Sequence, residues 1–85
     1  NWTLSAHLDA LRELGFPVLF GASRKSYLGA LLASDETPRP APQRDAATLA
    51  TSVLAFEAGV WGVRVHDVAG TADARAVWQA TRQAR

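Results

Sequence analysis

The chain of 85 residues is 48% apolar and carries a formal net charge of +1, so it forms one domain or less and is too apolar to be disordered. Its charges are interspersed along the sequence, which argues against the concentrated basic face of nucleic-acid-binding proteins. It contains no cysteine, which excludes a disulfide framework and a thiolate zinc site.

The first third of the chain predicts a helix followed by a buried strand. Leucines at helical spacing between residues 4 and 14 favour a helix that Thr3 or Ser5 caps and that Gly15 ends. The apolar segment 16–20 shows no alternation of polar and apolar residues. That pattern is typical of a strand covered on both faces in a parallel sheet.

The middle of the chain predicts a short helix, a loop and a longer helix. The short helix begins at Ser26 and covers residues up to 32. Three prolines make the segment 34–43 an exposed loop. The alanine-rich segment 44–58 predicts the next helix, which Gly59 ends.

The last third repeats the order of strand and helix. Residues 60–65 predict a second buried strand. Thr71 is the expected N-cap of a final helix that runs almost to the end of the chain. Ala76, Val77 and Ala80 are expected on the packing side of that helix.

The predicted order α-β-α-β-α indicates an α/β fold with parallel strands joined by crossover helices. Two strands cannot form a parallel sheet that is covered on both faces. Either the chain assembles with other copies or it belongs to a larger α/β fold. The barrel of eight βα units is the commoner fold that contains such elements. The sequence starts at Asn1 without a methionine, and we expect it to be a piece of a longer protein.

A polar run, Gly21-Ala-Ser-Arg-Lys-Ser26, follows the first strand, at the position where α/β proteins build ligand sites. Lys25 is the single lysine, and its ammonium can donate three hydrogen bonds to a phosphate or a carbonyl oxygen. Ser23 and Arg24 add further donors. The alternative for Lys25 is a solvated loop lysine, which composition alone would favour.

A second polar run ends the second strand. Arg64 and His66 point to the same side in strand alternation, so both can reach one ligand. An arginine fork and an imidazole together suit a phosphate or a pyrophosphate. An internal ion pair of Arg64 with Asp67, or with an acid outside the chain, explains the pattern equally well. Asp67 is expected to cap the following turn.

No apolar run approaches the roughly 20 residues that span a membrane, and no signal peptide is visible. Together with the absence of cysteine, these features are compatible with the cytoplasmic location that we expect. Neither a membrane nor a nucleic acid is an expected partner.

Taken together, the two polar runs resemble those of dihydropteroate synthase. The matching positions are residues 17–29, Arg44, Asp45, Thr48, residues 57–59, residues 64–68, Thr71 and Asp73. Neither run alone is specific to this family. The pairing of Ser-Arg-Lys with Arg-Val-His-Asp at this separation is a specific signature of it. The resemblance implies that residues 1–85 form the C-terminal part of a single pterin-binding (β/α)₈ TIM barrel.

The resemblance further implies a transferase of folate biosynthesis. Such an enzyme condenses p-aminobenzoate with a dihydropterin pyrophosphate and releases pyrophosphate. Mg²⁺ is the implied cofactor, with its ligand on an earlier part of the barrel, so no metal ligand is expected in this chain. A homodimer of the full-length protein is implied as well, and we expect the isolated chain to be inactive.

Residue by residue, the resemblance implies catalytic roles for Lys25, Arg64 and His66. The implied substrate-binding set is Ser23, Arg24, Lys25, Arg64, Val65 and His66. Lys25 would contact the pterin and lie against the p-aminobenzoate ring. Ser23 and Arg24 would help form the p-aminobenzoate pocket, which is also the sulfonamide pocket. Arg64 and His66 would hold the pyrophosphate, with Arg64 also along the pterin face.

Three alternatives remain beside this interpretation. A diverged paralogue would keep the fold without the reaction. A pterin-binding module of a folate-dependent methyltransferase would share the barrel, although such a site needs no diphosphate clamp of the kind that Arg64 and His66 offer. A purely structural segment would use its strand-end cations in internal ion pairs.

Overall fold

The architecture is a two-stranded parallel sheet with helices before, between and after the strands. The computed structural model describes residues 2–15 and 17–85. Its elements are α1 (Trp2–Ala6), α2 (Leu8–Arg12), β1 (Leu19–Phe20), α3 (Ser26–Leu31), a 3₁₀ turn (Ala41–Gln43), α4 (Asp45–Glu57), β2 (Gly62–Val63) and α5 (Val68–Gln83). The predicted order of helices and strands is therefore confirmed, although the bounds of the first helix, of both strands and of the last helix need correction.

The first correction concerns the N-terminal helix, which is divided in two at His7. His7 leaves the helical conformation with φ −122° and ψ 28°, and its ring nitrogen Nδ1 lies 2.8 Å from the carbonyl oxygen of Thr3. Thr3 and Ser5 lie inside α1, so neither residue is the N-cap that the sequence predicts. Gly15 does adopt the expected left-handed conformation, with φ +87°.

Both strands are shorter than predicted. Of the expected strand 16–20, Phe16 lies outside the described residues and only Leu19–Phe20 pair as strand. The sheet pairs Leu19 with Gly62 and Phe20 with Val63. Phe20 is buried, but Leu19 is 59% exposed, so β1 is covered on one face within this chain.

The core lies between the sheet, α2 and α4. Its buried members are Leu8, Phe20, Ala22 and Ala55, with Tyr27, Ala58, Val60 and Val63 packed against them. These side chains hold β1 against α4, which places the start of α4 beside the loop that follows β1. That loop carries the first polar run.

The last correction concerns α5, which begins at Val68 rather than after Thr71. Its N-cap is Asp67, whose Oδ1 accepts a hydrogen bond of 3.0 Å from the backbone N–H of Gly70, as expected for this aspartate. Thr71 is instead buried in the first turn and donates its hydroxyl to the carbonyl oxygen of Asp67 at 2.7 Å. The predicted packing side is also wrong, since Val77 is 67% exposed. The helix faces α4 through Trp78, which packs on Phe56.

Candidate functional site

The two polar runs meet at one edge of the sheet, because parallel strands carry their C-terminal ends to the same side. A cavity of about 260 Å³ opens there. It is lined by Gly21, Ser23, Lys25, Arg64, Val65 and His66. We call this cavity the cup. Three nitrogen-bearing side chains from two separate segments of the sequence therefore converge on one space, which suits an anionic ligand.

Lys25 and Ser23 enter the cup through a tight turn after β1. The backbone N–H of Lys25 donates to the carbonyl oxygen of Ala22 at 3.1 Å. Arg24 occupies the third position of this turn with φ +56°, a left-handed conformation that usually calls for glycine. The turn carries Ser23 and Lys25 into the cup and directs Arg24 away from it.

The backbone N–H, the carbonyl oxygen and the guanidinium of Arg24 all form hydrogen bonds with residues at the start of α4. Its backbone N–H donates to Oγ1 of Thr48 at 3.0 Å, and its carbonyl oxygen accepts from Nη1 of Arg44 at 2.7 Å. Its guanidinium donates to both carboxylate oxygens of Asp45, at 2.8 and 3.0 Å. These contacts fix the turn that carries Ser23 and Lys25, so Arg24 supports the cup from outside.

The contact between Arg24 and Asp45 shifts the pKa of both groups. The hydrogen bond from Arg24 lowers the pKa of Asp45 below its ordinary value, against a smaller opposing effect of desolvation. The hydrogen bond to Asp45 raises the pKa of Arg24 correspondingly. Each charge therefore stabilises the other, and both groups stay ionised at neutral pH. The proposed place of Arg24 in the substrate pocket stays a prediction.

Arg64 extends from the end of β2 over the loop that follows β1. Its backbone N–H donates to the carbonyl oxygen of Phe20 at 2.9 Å, which continues the sheet ladder by one residue. A Cβ atom added to Gly21 would lie 3.4 Å from Nε and Nη2 of Arg64, so the guanidinium crosses this glycine closely. A Cβ at position 21 would therefore be in ordinary van der Waals contact with Arg64.

The expectation that Arg64 is buried in a strand is wrong, since the residue is exposed. The alternative of an ion pair with Asp67 is not observed either. Within residues 2–15 and 17–85 the ion pairs join Arg24 to Asp45 and Arg85 to Glu57. Arg64 is thus available to a ligand in this chain.

His66 lines the cup and is hydrogen-bonded to Ser23. The sequence did not predict this contact. Oγ of Ser23 lies 2.6 Å from Nδ1 of His66 and accepts a hydrogen bond of 3.1 Å from the backbone N–H of the same residue. The two residues are 43 positions apart, so no local sequence pattern predicts the contact. It joins the two loops that form the cup.

In the part of the chain that the structure describes, no three His, Asp or Glu side chains come together as a possible metal site. The residues of the cup therefore do not form a Mg²⁺ site, since their side chains offer hydrogen-bond donors in place of the carboxylates that Mg²⁺ prefers.

Among the same described residues, no helix has both the length and the apolar character needed to cross a bilayer.

The chain is similar in sequence to a known family of enzymes. The family model described as pterin binding enzyme matches residues 1–66. The chain is 51% identical over 75 residues to the dihydropteroate synthase of Mycobacterium leprae, covering 87% of this chain and 26% of that protein. Its predicted resemblance is thereby confirmed.

Two solved structures of the dihydropteroate synthase of Xanthomonas albilineans have the same fold. One, in complex with 7,8-dihydropteroate, has a TM-score of 0.88 and 46% identity, and covers 96% of this chain and 31% of that one. The other, with 4-aminobenzoic acid, has a TM-score of 0.86 and 46% identity, and covers 94% and 29%. The chain thus spans between a quarter and a third of these relatives, and its fold class as part of a (β/α)₈ barrel is confirmed.

Proposed function

The chain belongs to the family of pterin-binding enzymes, and from that premise we propose that it forms the C-terminal part of the barrel of a dihydropteroate synthase. Residues 1–85 would then belong to one pterin-binding domain. The edge of β1 supports this proposal: an apolar groove of about 330 Å³ runs beside Leu19, Leu4 and Leu8 and reaches Lys25 and Arg64. A further strand and its helix would cover this groove.

The reaction that we propose for the whole enzyme joins p-aminobenzoate to a dihydropterin pyrophosphate. A carbon–nitrogen bond forms between the amine and the pterin methylene carbon, the carbon–oxygen bond to pyrophosphate breaks, and the amine gives up one proton. The X. albilineans structures with 7,8-dihydropteroate and with 4-aminobenzoic acid support these substrates.

The single observation that carries the proposal is the convergence of Lys25, Arg64 and His66 on one cup. Breaking the carbon–oxygen bond builds negative charge on the leaving pyrophosphate. Donors fixed at that position stabilise the transition state more than the ground state, because the charge grows as the bond breaks. Arg64 and His66 would hold the pyrophosphate, and Lys25 would contact the pterin and the p-aminobenzoate ring.

The p-aminobenzoate pocket would be completed by Ser23 and by the backbone around Arg24 and Val65. Ser23 and Val65 line the cup, whereas the Arg24 guanidinium is bonded to Asp45. We therefore propose that Arg24 acts on this pocket through the turn it stabilises. Sulfonamides would compete for the same pocket.

The remaining proposals concern the full-length protein. Mg²⁺ would be held by residues outside this chain. Pairing of two copies through the C-terminal helices would give a homodimer. The enzyme would act in the cytoplasm, and the 85-residue chain by itself would be inactive.

Pyrophosphate release by the full-length protein tests the proposed function. The assay supplies dihydropterin pyrophosphate and p-aminobenzoate to the wild type and to the variants Lys25→Ala and Arg64→Ala. Loss of the Arg64 charge at the leaving group is expected to lower kcat/KM by about 10²- to 10³-fold. Loss of Lys25, which would contact both substrates, is expected to lower kcat/KM as well. Arg75→Ala, on the exposed side of α5, is the matched control and should retain turnover.

Absence of turnover in the wild type would favour the diverged paralogue. A tetrahydrofolate ligand that binds the protein without any release of pyrophosphate would favour the methyltransferase module. A lower free energy of unfolding in Arg64→Ala, with ligand affinity unchanged, would favour a purely structural role. The exposed position of Arg64 argues against that last outcome.

A further inference from the structure

The hydroxyl of Ser23 contacts His66 twice, at its backbone N–H and at Nδ1 of its ring. The Ser23 oxygen accepts the backbone N–H of His66 at 3.1 Å. The second contact, 2.6 Å to Nδ1, is at the short end of the range for an O–H donor and shorter than usual for an N–H donor. A hydrogen bond donated by the Ser23 hydroxyl to Nδ1 fits this short distance better than one donated by the ring.

A hydrogen bond donated by Ser23 to Nδ1 sets the tautomer of a neutral ring. A neutral imidazole carries one proton, so a ring whose Nδ1 is an acceptor has its N–H at Nε2. Among the described residues, no hydrogen bond is made to Nε2 of His66. The ring lines the cup beside Lys25 and Arg64. Nε2 is thus the nitrogen that remains for a ligand.

We propose that Ser23 is a positioning residue that holds His66 as its Nε2–H tautomer and so presents a hydrogen-bond donor to an anion in the cup. The identity of that anion as pyrophosphate rests on the proposed function. With this tautomer, the imidazole binds an anionic oxygen without first gaining a proton. The opposite tautomer would turn a lone pair towards the anion and repel it.

The second histidine of the chain shows the opposite arrangement and provides an internal reference. Nδ1 of His7 lies 2.8 Å from the backbone carbonyl oxygen of Thr3. A carbonyl oxygen only accepts, so this nitrogen must carry a proton. His7 is therefore an Nδ1–H ring where His66 is an Nε2–H ring.

Nitrogen NMR of the full-length protein, labelled with ¹⁵N-histidine and recorded at alkaline pH, tests the proposal. Two-bond ¹⁵N–¹H correlations distinguish a protonated ring nitrogen from a bare one. His66→Gln and His7→Gln assign the two rings. The wild type should show the Nε2–H pattern for His66 and the Nδ1–H pattern for His7. Ser23→Ala should give a mixture of both patterns at His66, and Ser23→Thr, which keeps the hydroxyl, should restore the first.

Titration with inorganic pyrophosphate adds a binding readout. Ser23→Ala should weaken affinity about 2- to 12-fold, the range of one net hydrogen bond. It should have no further effect in a His66→Ala background, since Ser23 acts through that ring. An Nδ1–H pattern at His66 in the wild type, or an unchanged pattern in Ser23→Ala, would overturn the proposal. Failure of the wild type to bind pyrophosphate would contradict the proposed function, and the tautomer spectra would still decide the role of Ser23.

Discussion

The guanidinium of Arg24 donates two hydrogen bonds to the carboxylate of Asp45, at 2.8 and 3.0 Å, from a backbone with φ +56°. A left-handed conformation costs a non-glycine residue on the order of 1 kcal/mol. The contacts with α4 offset that cost, and the result is a turn that aims both neighbours of Arg24 into the cup. The charged pair is therefore part of how the site is built, although it lies outside the cup.

The Arg24–Asp45 pair is expected to make stability depend on pH at the acid end. The pKa of Asp45 is lowered in the folded protein, so its contribution to stability is complete above the ordinary aspartate pKa of about 3.9 and is lost as the pH falls through the lower, folded-state value. Asp45→Asn should therefore be less stable than the wild type at neutral pH, and the difference should narrow below pH 4. Urea unfolding of the full-length protein at several pH values measures this.

The matched control for that experiment is Asp73→Asn, since Asp73 is exposed on α5 and makes no ion pair within the described part of the chain. A difference between Asp45→Asn and the wild type that stays constant from pH 7 to pH 3 would contradict the expectation.

Gly29 is expected to resist replacement by alanine, although alanine favours helices. A Cβ at this position of α3 would lie 2.5–2.6 Å from the guanidinium of Arg44. That group is bonded to the carbonyl oxygens of Arg39 and Arg24 at 2.6 and 2.7 Å, so it cannot move without losing both contacts. Gly29→Ala should lower the free energy of unfolding by about 1–3 kcal/mol.

The Arg44→Ala background provides the control for Gly29. With the guanidinium removed, the same Gly29→Ala change should be neutral, or should stabilise by up to about 1 kcal/mol through helix propensity. Equal destabilisation in both backgrounds, measured by chemical denaturation, would show that the contact with Arg44 is not the cause.

Asp67 is expected to stabilise α5 as its N-cap. Its carboxylate accepts the backbone N–H of Gly70, and Asp67→Ala should lower the free energy of unfolding by about 1 kcal/mol. Asp67→Asn keeps an acceptor and should lose much less. Asp73→Ala, on the same helix, should stay within about 0.5 kcal/mol of the wild type. Equal losses in Asp67→Ala and Asp67→Asn would refute the capping role.

The isolated 85-residue chain is expected to aggregate or to stay molten. Large apolar side chains are widely exposed in it: Trp61 is 76% exposed, Val77 67% and Leu54 65%. Their number favours association over a stable monomer. We expect strong binding of a hydrophobic dye and no cooperative thermal transition. A monomer that melts cooperatively in calorimetry would contradict this, and the full-length protein provides the reference.

Sequence and structure agree best where the signal is local. The helix predicted over residues 44–58 is observed as Asp45–Glu57, because its composition and the following glycine act within a few residues. The strand lengths are overestimated, since an apolar run predicts burial while strand pairing depends on a neighbour. Among residues 2–15 and 17–85 each strand has one neighbour, and two residues of each are paired as strand.

The sequence by itself determined that Ser23, Lys25, Arg64 and His66 follow two apolar strands, and these four residues line the cup. The same pattern also predicts Arg24 there, but its guanidinium contacts Asp45 outside the cup. What only the tertiary structure decided is how they are held. The contacts of Arg24 with Asp45 and of Ser23 with His66 join positions 21 and 43 residues apart. Neither contact follows from a local pattern, because the distances between these side chains are set by how β1, α4 and β2 pack together.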